Sequence, residues 1–199
     1  MKPILLVAVM LVAMGCETSA PQSQPKAPPP SPKATPPTEA EKKAFAETKA
    51  SAERGVAASQ VNLGLKYEKG QGVEQDSAQA LAWFTKAAEQ NVPFAKIAQF
   101  YLGMKYYKGQ GVEQDYAQAL AWFTRAAEQN EPRAQFYLGA MYELGEGTDE
   151  DKVRSLAWLL LAARQGEKNA IKIISFAKVS MTREQIDQAK ALSEKLLKK

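Results

Sequence analysis

The chain has 199 residues, 24% of them charged, with 26 basic against 22 acidic side chains and a formal charge of +4. That length holds one domain of ordinary size with extensions at its ends. There is no histidine and one cysteine, which excludes imidazole bases, cysteine and histidine pairs and the usual zinc sites, and no apolar run reaches the eighteen or so residues needed to cross a bilayer.

The first element is a leader. Lys2 precedes an unbroken apolar run over residues 4–14, too short to span, and small residues then lead to Cys16. The sequence Val12-Ala13-Met14-Gly15-Cys16 resembles the lipobox of bacterial lipoproteins, although Ala13 stands where that motif prefers Leu. The resemblance implies a signal peptide over residues 1–15, diacylation of the Cys16 sulfur and a membrane anchor; two or more acyl chains make such an anchor stable. Glu17 is not the Asp that commonly retains enteric lipoproteins at the inner membrane, so the periplasmic side of the outer membrane is the expected location. Removal of the leader takes one basic and no acidic residue, lowering the charge from +4 to +3. This mild basicity sits in a long tail and the C-terminus. No face interleaves basic and aromatic residues, and no nucleic-acid partner is expected.

Composition then shifts to Pro, Ser, Thr, Gln and Lys, with eight prolines between Pro21 and Pro37 and no aromatic residue. Such a stretch buries too little apolar surface to order itself. Residues 16–38 are therefore expected to be a lipid-anchored linker, whose 22 residues after Cys16 reach about 70 Å when fully extended in polyproline conformation. Order resumes with Thr38-Glu39-Ala40-Glu41, a capping box, and the pattern predicts an N-terminal capping helix over residues 39–55 ended by Gly55.

Three repeats follow. Leu63-Gly64-Leu65-Lys66-Tyr67, Leu102-Gly103-Met104-Lys105-Tyr106 and Leu138-Gly139-Ala140-Met141-Tyr142 are offset by 39 and then 36 residues, as are Asp76, Asp115 and Asp151, and Trp83, Trp122 and Trp158. Units of this length stack because each needs its neighbours to cover its apolar face. In each unit the spacing predicts a helix A whose glycine allows close approach of another helix, a glycine-rich turn, and a helix B capped by the aspartate. Gln79 and Gln118 complete capping boxes that Arg154 breaks in the third copy. Ala80, Trp83, Ala87 and their equivalents share one face of helix B.

These residues resemble the Sel1-like repeat, a relative of the tetratricopeptide repeat: Ala-x-x-x-Leu-Gly-x-x-Tyr-x-x-Gly-x-Gly-Val-x-x-Asp-x-x-x-Ala-x-x-Trp-x-x-x-Ala. The chain departs from it at Ser59, Thr148 and Ser155. The resemblance implies an all-α fold, a right-handed solenoid of helix pairs at 56–91, 92–130 and 131–166, with a partial repeat and a C-terminal capping helix over 167–199. A stripe of Ile186, Ala189 and Leu192 or Ser193 is expected to close the open end of the core. The three residues by which the first period exceeds the second fall between Pro93 and Ala98 and predict an additional near-turn of the second helix A. Residues 71–91 and 110–130 differ only at Ser77 against Tyr116 and Lys86 against Arg125, an internal duplication.

Chemistry finds no foothold, and no cofactor, metal or enzymatic activity is expected. The three aspartates are explained as caps. Glu146, Asp149, Glu150 and Asp151 miss the EF-hand spacing and suit the dipole of the helix they precede. Relatives that act on β-lactams are rich in cysteine pairs, which this chain lacks. Function is therefore sought on the concave side that helix A lines in such superhelices. If Ser59, Leu63 and Tyr67 face the core, the opposite stripe carries Val61, Asn62, Leu65 and Lys69, then Phe100, Tyr101, Met104 and Lys108, then Phe136, Tyr137, Ala140 and Leu144. Leu65, Tyr101, Met104, Tyr137, Phe100 and Phe136 are the candidate contacts; packing between repeats is the competing role for the two phenylalanines. The expected function is a membrane-anchored, monomeric scaffold or adaptor that grips an envelope protein. Family resemblance adds a second reading, an immunity protein against a toxic phospholipase, and a third class would be a protein that binds or acts on cell-wall glycan.

Overall fold

The computed structural model describes residues 36–90 and 92–198. The leader, Cys16 and the linker up to residue 35 lie outside the described residues. Those described form nine helices and no strand: α1 (Glu39–Glu53), α2 (Ala57–Lys69), α3 (Ser77–Ala88), α4 (Ala95–Lys108), α5 (Tyr116–Glu128), α6 (Pro132–Leu144), α7 (Lys152–Arg164), α8 (Lys168–Val179) and α9 (Arg183–Leu197). Helices α2, α4 and α6 are the A helices of three repeats, and α3, α5 and α7 are their B partners. Each A helix packs on its own B helix, and each B helix on the next A helix, to give an all-α solenoid.

The motif residues account for this geometry. A Cβ at Gly64 would stand 2.6 Å from the ring of Phe84, and one at Gly103 2.5 Å from that of Phe123. At Gly139 the obstacle is Leu159, 2.9 Å away. Glycine is thus what lets A and B approach within a repeat. The second glycine of each turn joins repeats: a Cβ at Gly111 would lie 2.6 Å from the Ser77 carbonyl and one at Gly147 2.4 Å from that of Tyr116, at the start of the preceding B helix. Gly72 meets the Glu41 carbonyl of α1 in the same way. Helix α1, held at its start by the Thr38 and Glu41 capping box, therefore occupies the place of a B helix ahead of the first repeat.

Asp76, Asp115 and Asp151 cap the B helices, accepting from the backbone N–H of Gln79, Gln118 and Arg154 at 2.9 Å. The expected return bond from Gln79 and Gln118 does not form. The aspartate N–H that it would satisfy already donates to the carbonyl of Tyr67, Tyr106 or Tyr142 in the preceding A helix, at 2.9, 3.0 and 2.9 Å. Half of each capping box is thus replaced by a bond that ties the two helices together across the turn.

Two other expectations are corrected. Helix α4 has 14 residues against 13 in α6, so only one of the three inserted residues extends it. The others lengthen the connector from α3, where Ala95 N–H to the Val92 carbonyl and Ile97 N–H to the Phe94 carbonyl form short i to i−3 turns. Helix α9 does carry the Ile186, Ala189 and Leu192 stripe, but it does not close the open end. It packs on α7, burying Leu156 and Ala157 beside Val153 and Leu160. The equivalent face of α5 remains open, with Ala117 and Ala121 exposed. Leu160 stands where the other B helices have Thr85 and Thr124, which makes this face of α7 apolar enough to recruit a helix.

Candidate functional site

Helices α2 and α4 touch directly, placing the A side on the inside of the curve. The buried Lys105 ammonium of α4, 3% exposed, is paired with Glu68 of α2, 25% exposed. On this side Leu65, Tyr101, Met104 and Tyr137 are partly exposed, and Asn62, Lys69 and Lys108 are open. Phe100 and Phe136 are only 5% and 2% exposed. They are core residues and leave the set of contact candidates, because an A helix lies close enough to the next repeat to cover this position; Val61 and Ala140 are buried for the same reason.

The two tyrosines are anchored as well as presented. Tyr101 stacks on Phe84 with ring centroids 4.9 Å apart and planes 11° from parallel, and Tyr137 repeats this on Phe123 at 5.2 Å and 15°. Each also meets the buried phenylalanine beside it edge-on, Tyr101 with Phe100 at 5.4 Å and Tyr137 with Phe136 at 5.3 Å. A substitution to alanine at either position would open the joint between repeats. Arg133 lies 4.3 Å over Phe100 and 5.6 Å over Tyr101, and its Nε donates to Glu131 at 2.7 Å. The inner face thus combines fixed aromatic rings with a planar cation.

Tyr107 extends the cluster, with its ring 5.9 Å from Tyr137 and 5.4 Å from Tyr116. Burial pushes its phenol far above the usual range, reinforced by the negative charge of the nearby Glu146 carboxylate. Burial likewise raises the Glu146 carboxyl, and the Tyr107 hydroxyl pulls the other way. Glu143 is raised by burial, with the Ser155 hydroxyl and Lys152 opposing. These carboxyls stand beside tyrosine, serine and lysine, and the three aspartates are occupied as helix caps. Among the described residues no group of three or more Asp and Glu side chains is placed to hold a metal ion.

One polar system escapes the sequence reading. Gln60, Gln99 and Gln135 are buried, and each amide donates to the carbonyl near the end of the preceding B-type helix: Ala52, Ala88 and Ala127, at 3.2, 3.3 and 3.1 Å. Each also accepts from a glutamine after its own B helix, Gln90, Gln129 and Gln165, at 2.6, 2.8 and 2.7 Å. The signal was present as glutamines recurring at 39 and 36 residues, at positions outside the motif that carries the resemblance.

The family model of the Sel1 repeat matches residues 57–92, 96–131 and 132–167, leaving the insertion between the first two. Among solved structures, a Sel1 repeat protein from Oxalobacter formigenes is similar at 33% identity and a TM-score of 0.65, over 79% of this chain and 62% of that one. The protective antigen c5321 of uropathogenic Escherichia coli, described as displaying an SLR fold, is similar at 30% identity and a TM-score of 0.53, over 79% of this chain and 41% of that one. The chain thus spans less than two thirds of either relative. A comparison with the curated proteins finds no match.

Proposed function

On the premise that this chain belongs to the Sel1 repeat family, whose members are generally scaffolds for protein interactions, we propose that it is a membrane-tethered adaptor holding an envelope protein against its A helices. The observation that carries this reading is the inner face itself. Tyr101 and Tyr137 are locked in place by stacking on Phe84 and Phe123, so they offer large contact area with little ordering cost, and Leu65 and Met104 flank them. Met104 adds an adaptable apolar surface. The tether is the linker after Cys16, and the outer membrane's periplasmic side is the proposed location; the domain acts as a monomer.

The test uses photo-crosslinking residues placed one at a time at Asn62 and Lys108 on the A side, and at Ala82 and Ala121 on the B side, all exposed. One partner crosslinked from the A side alone is the expected result. The same yield from the B side would overturn the assignment of the face. Loss of the chain from the membrane fraction in Cys16→Ser tests the tether separately.

A further inference from the structure

Because α9 folds back onto α7, α8, the last A-type helix among the described residues, has no B helix packed on it there. Its outward arc carries Lys168, Ile171, Lys172, Ser175, Phe176 and Val179, all exposed. Ile171, Phe176 and Val179 are 55%, 50% and 74% exposed. In α6 the positions equivalent to Ile171, Phe176 and Lys172 are Gln135, Ala140 and Phe136, all buried, so this arc is a joint without its counterpart. Lys178 flanks it, and α8 contains no acidic residue. The wider charge distribution has the same sense. Residues 168–199 hold eight basic and three acidic side chains, whereas residues 36–167 hold 15 basic and 18 acidic. The domain is thus acidic along its repeats and cationic at one end.

We propose that this end of the solenoid, the exposed face of α8, seats on an anionic phospholipid surface, with Phe176, Val179 and Ile171 entering the headgroup layer and Lys168 and Lys172 meeting lipid phosphates. The alternation of apolar and cationic side chains along one helix ridge is the pattern of interfacial binding. Charge argues against a second copy, since two such faces would bring lysines together. A bilayer is favoured over an acidic protein because a single convex ridge needs a deformable partner, and a chain tethered at Cys16 would hold this weak surface at high local concentration. That last step rests on the tethering proposed above; the surface itself does not.

The experiment uses the full chain with Cys16→Ser and with Leu6→Asp and Val9→Asp to interrupt the apolar leader, made by cell-free translation so that nothing is acylated, and vesicles of phosphatidylcholine with or without 30% phosphatidylglycerol. Sedimentation with anionic vesicles should exceed that with neutral ones by at least tenfold and fall as salt rises. Lys168→Gln with Lys172→Gln should weaken anionic binding by about thirtyfold. Phe176→Ser with Val179→Ser should weaken it by about tenfold or more, with an unchanged circular dichroism spectrum because both side chains face outward. Equal binding to neutral vesicles, or either double variant binding like the parent, would overturn the proposal. So would a dimer in sedimentation velocity that Phe176→Ser dissolves, which would give the face to a second copy. In cells, Cys16→Ser combined with Phe176→Ser and Val179→Ser reports on the tether with the α8 face removed, so the two readings fail separately.

Discussion

Tyr137 lies flat against Phe123, its ring centroid 5.2 Å away and its plane tilted by only 15°. The two residues belong to successive repeats, so one side chain both joins the solenoid and shapes its inner face. Tyr137→Ala should cost about 2–3 kcal/mol, the low end for a truncated aromatic since part of the ring is already open to solvent. Tyr137→Phe keeps the stack and should retain most of the stability that Tyr137→Ala loses. Urea unfolding of both variants measures the difference, and equal midpoints would deny the stack its role.

Close approach inside a repeat gives a second prediction. A Cβ at residue 103 would stand 2.5 Å from two carbons of the Phe123 ring, and that ring is fully buried, with no free space to move into. Gly103→Ala should therefore lose about 2–3 kcal/mol despite the better helix propensity of alanine. The thermal midpoint should fall by about 5–10 °C. A midpoint that rises would mean that the two helices separate freely.

The elements that could be read from the sequence are those fixed by short-range chemistry repeated three times. Asp76, Asp115 and Asp151 cap because a carboxylate before a helix meets free N–H groups wherever it stands, and the glycines mark positions where any side chain would collide. What could not be read depends on distant partners. Whether Phe100 faces solvent or core is decided by how near the next repeat comes. The destination of α9 is decided by the outer face of α7, where Leu160 replaces a threonine that in the other B helices bonds back to its own helix, Thr85 to the Leu81 carbonyl and Thr124 to that of Leu120. The aromatic stripe was legible as a set of positions; its division into Tyr101 and Tyr137, which reach the surface, and Phe100 and Phe136, which do not, required the packing.

The contact between Tyr107 and Glu146 predicts a pH response. Burial raises the Glu146 carboxyl above its ordinary 4.5, and the neighbouring Tyr107 offsets only part of this, so the folded chain keeps this proton where the unfolded chain has lost it. The stabilisation is full below the ordinary value and is lost as pH rises through the folded one. Glu146→Gln should then gain stability relative to the parent at pH 7, and the gain should shrink towards pH 4. Tyr107 acts with the same sign at the alkaline end: its phenol, raised first by burial and then by Glu146, favours the neutral form, and stability should fall as pH climbs above about 10. Tyr107→Phe should flatten that fall. Urea midpoints across the range test both, and pH-independent differences would contradict them.

The glutamine ladder should behave as a coupled network. Gln99 gives its amide to the Ala88 carbonyl at 3.3 Å and takes one from Gln129 at 2.8 Å. Gln99→Met would leave a buried carbonyl without its donor, at a cost of about 1–2 kcal/mol. Gln129→Ala in the same background should cost less than it does alone, because its acceptor is already gone. A double-mutant cycle is expected to give about 0.5–1 kcal/mol of coupling. Strict additivity would mean that the ladder is a set of unrelated contacts.

The pair of Lys105 and Glu68 is asymmetric in burial, 3% against 25% exposed, and its two halves should respond differently to removal. Glu68→Ala strands an ammonium in the core and should cost about 3 kcal/mol or more. Lys105→Met leaves a carboxylate that can turn towards water, and the third repeat already places Met141, fully buried, at the equivalent position. That change should therefore be close to neutral, within about 1 kcal/mol of the parent. Equilibrium unfolding of the two single variants decides between them: equal losses would show that the pair is held by mutual attraction, whereas the expected inequality would show that its energetic weight lies in keeping the lysine from being buried alone.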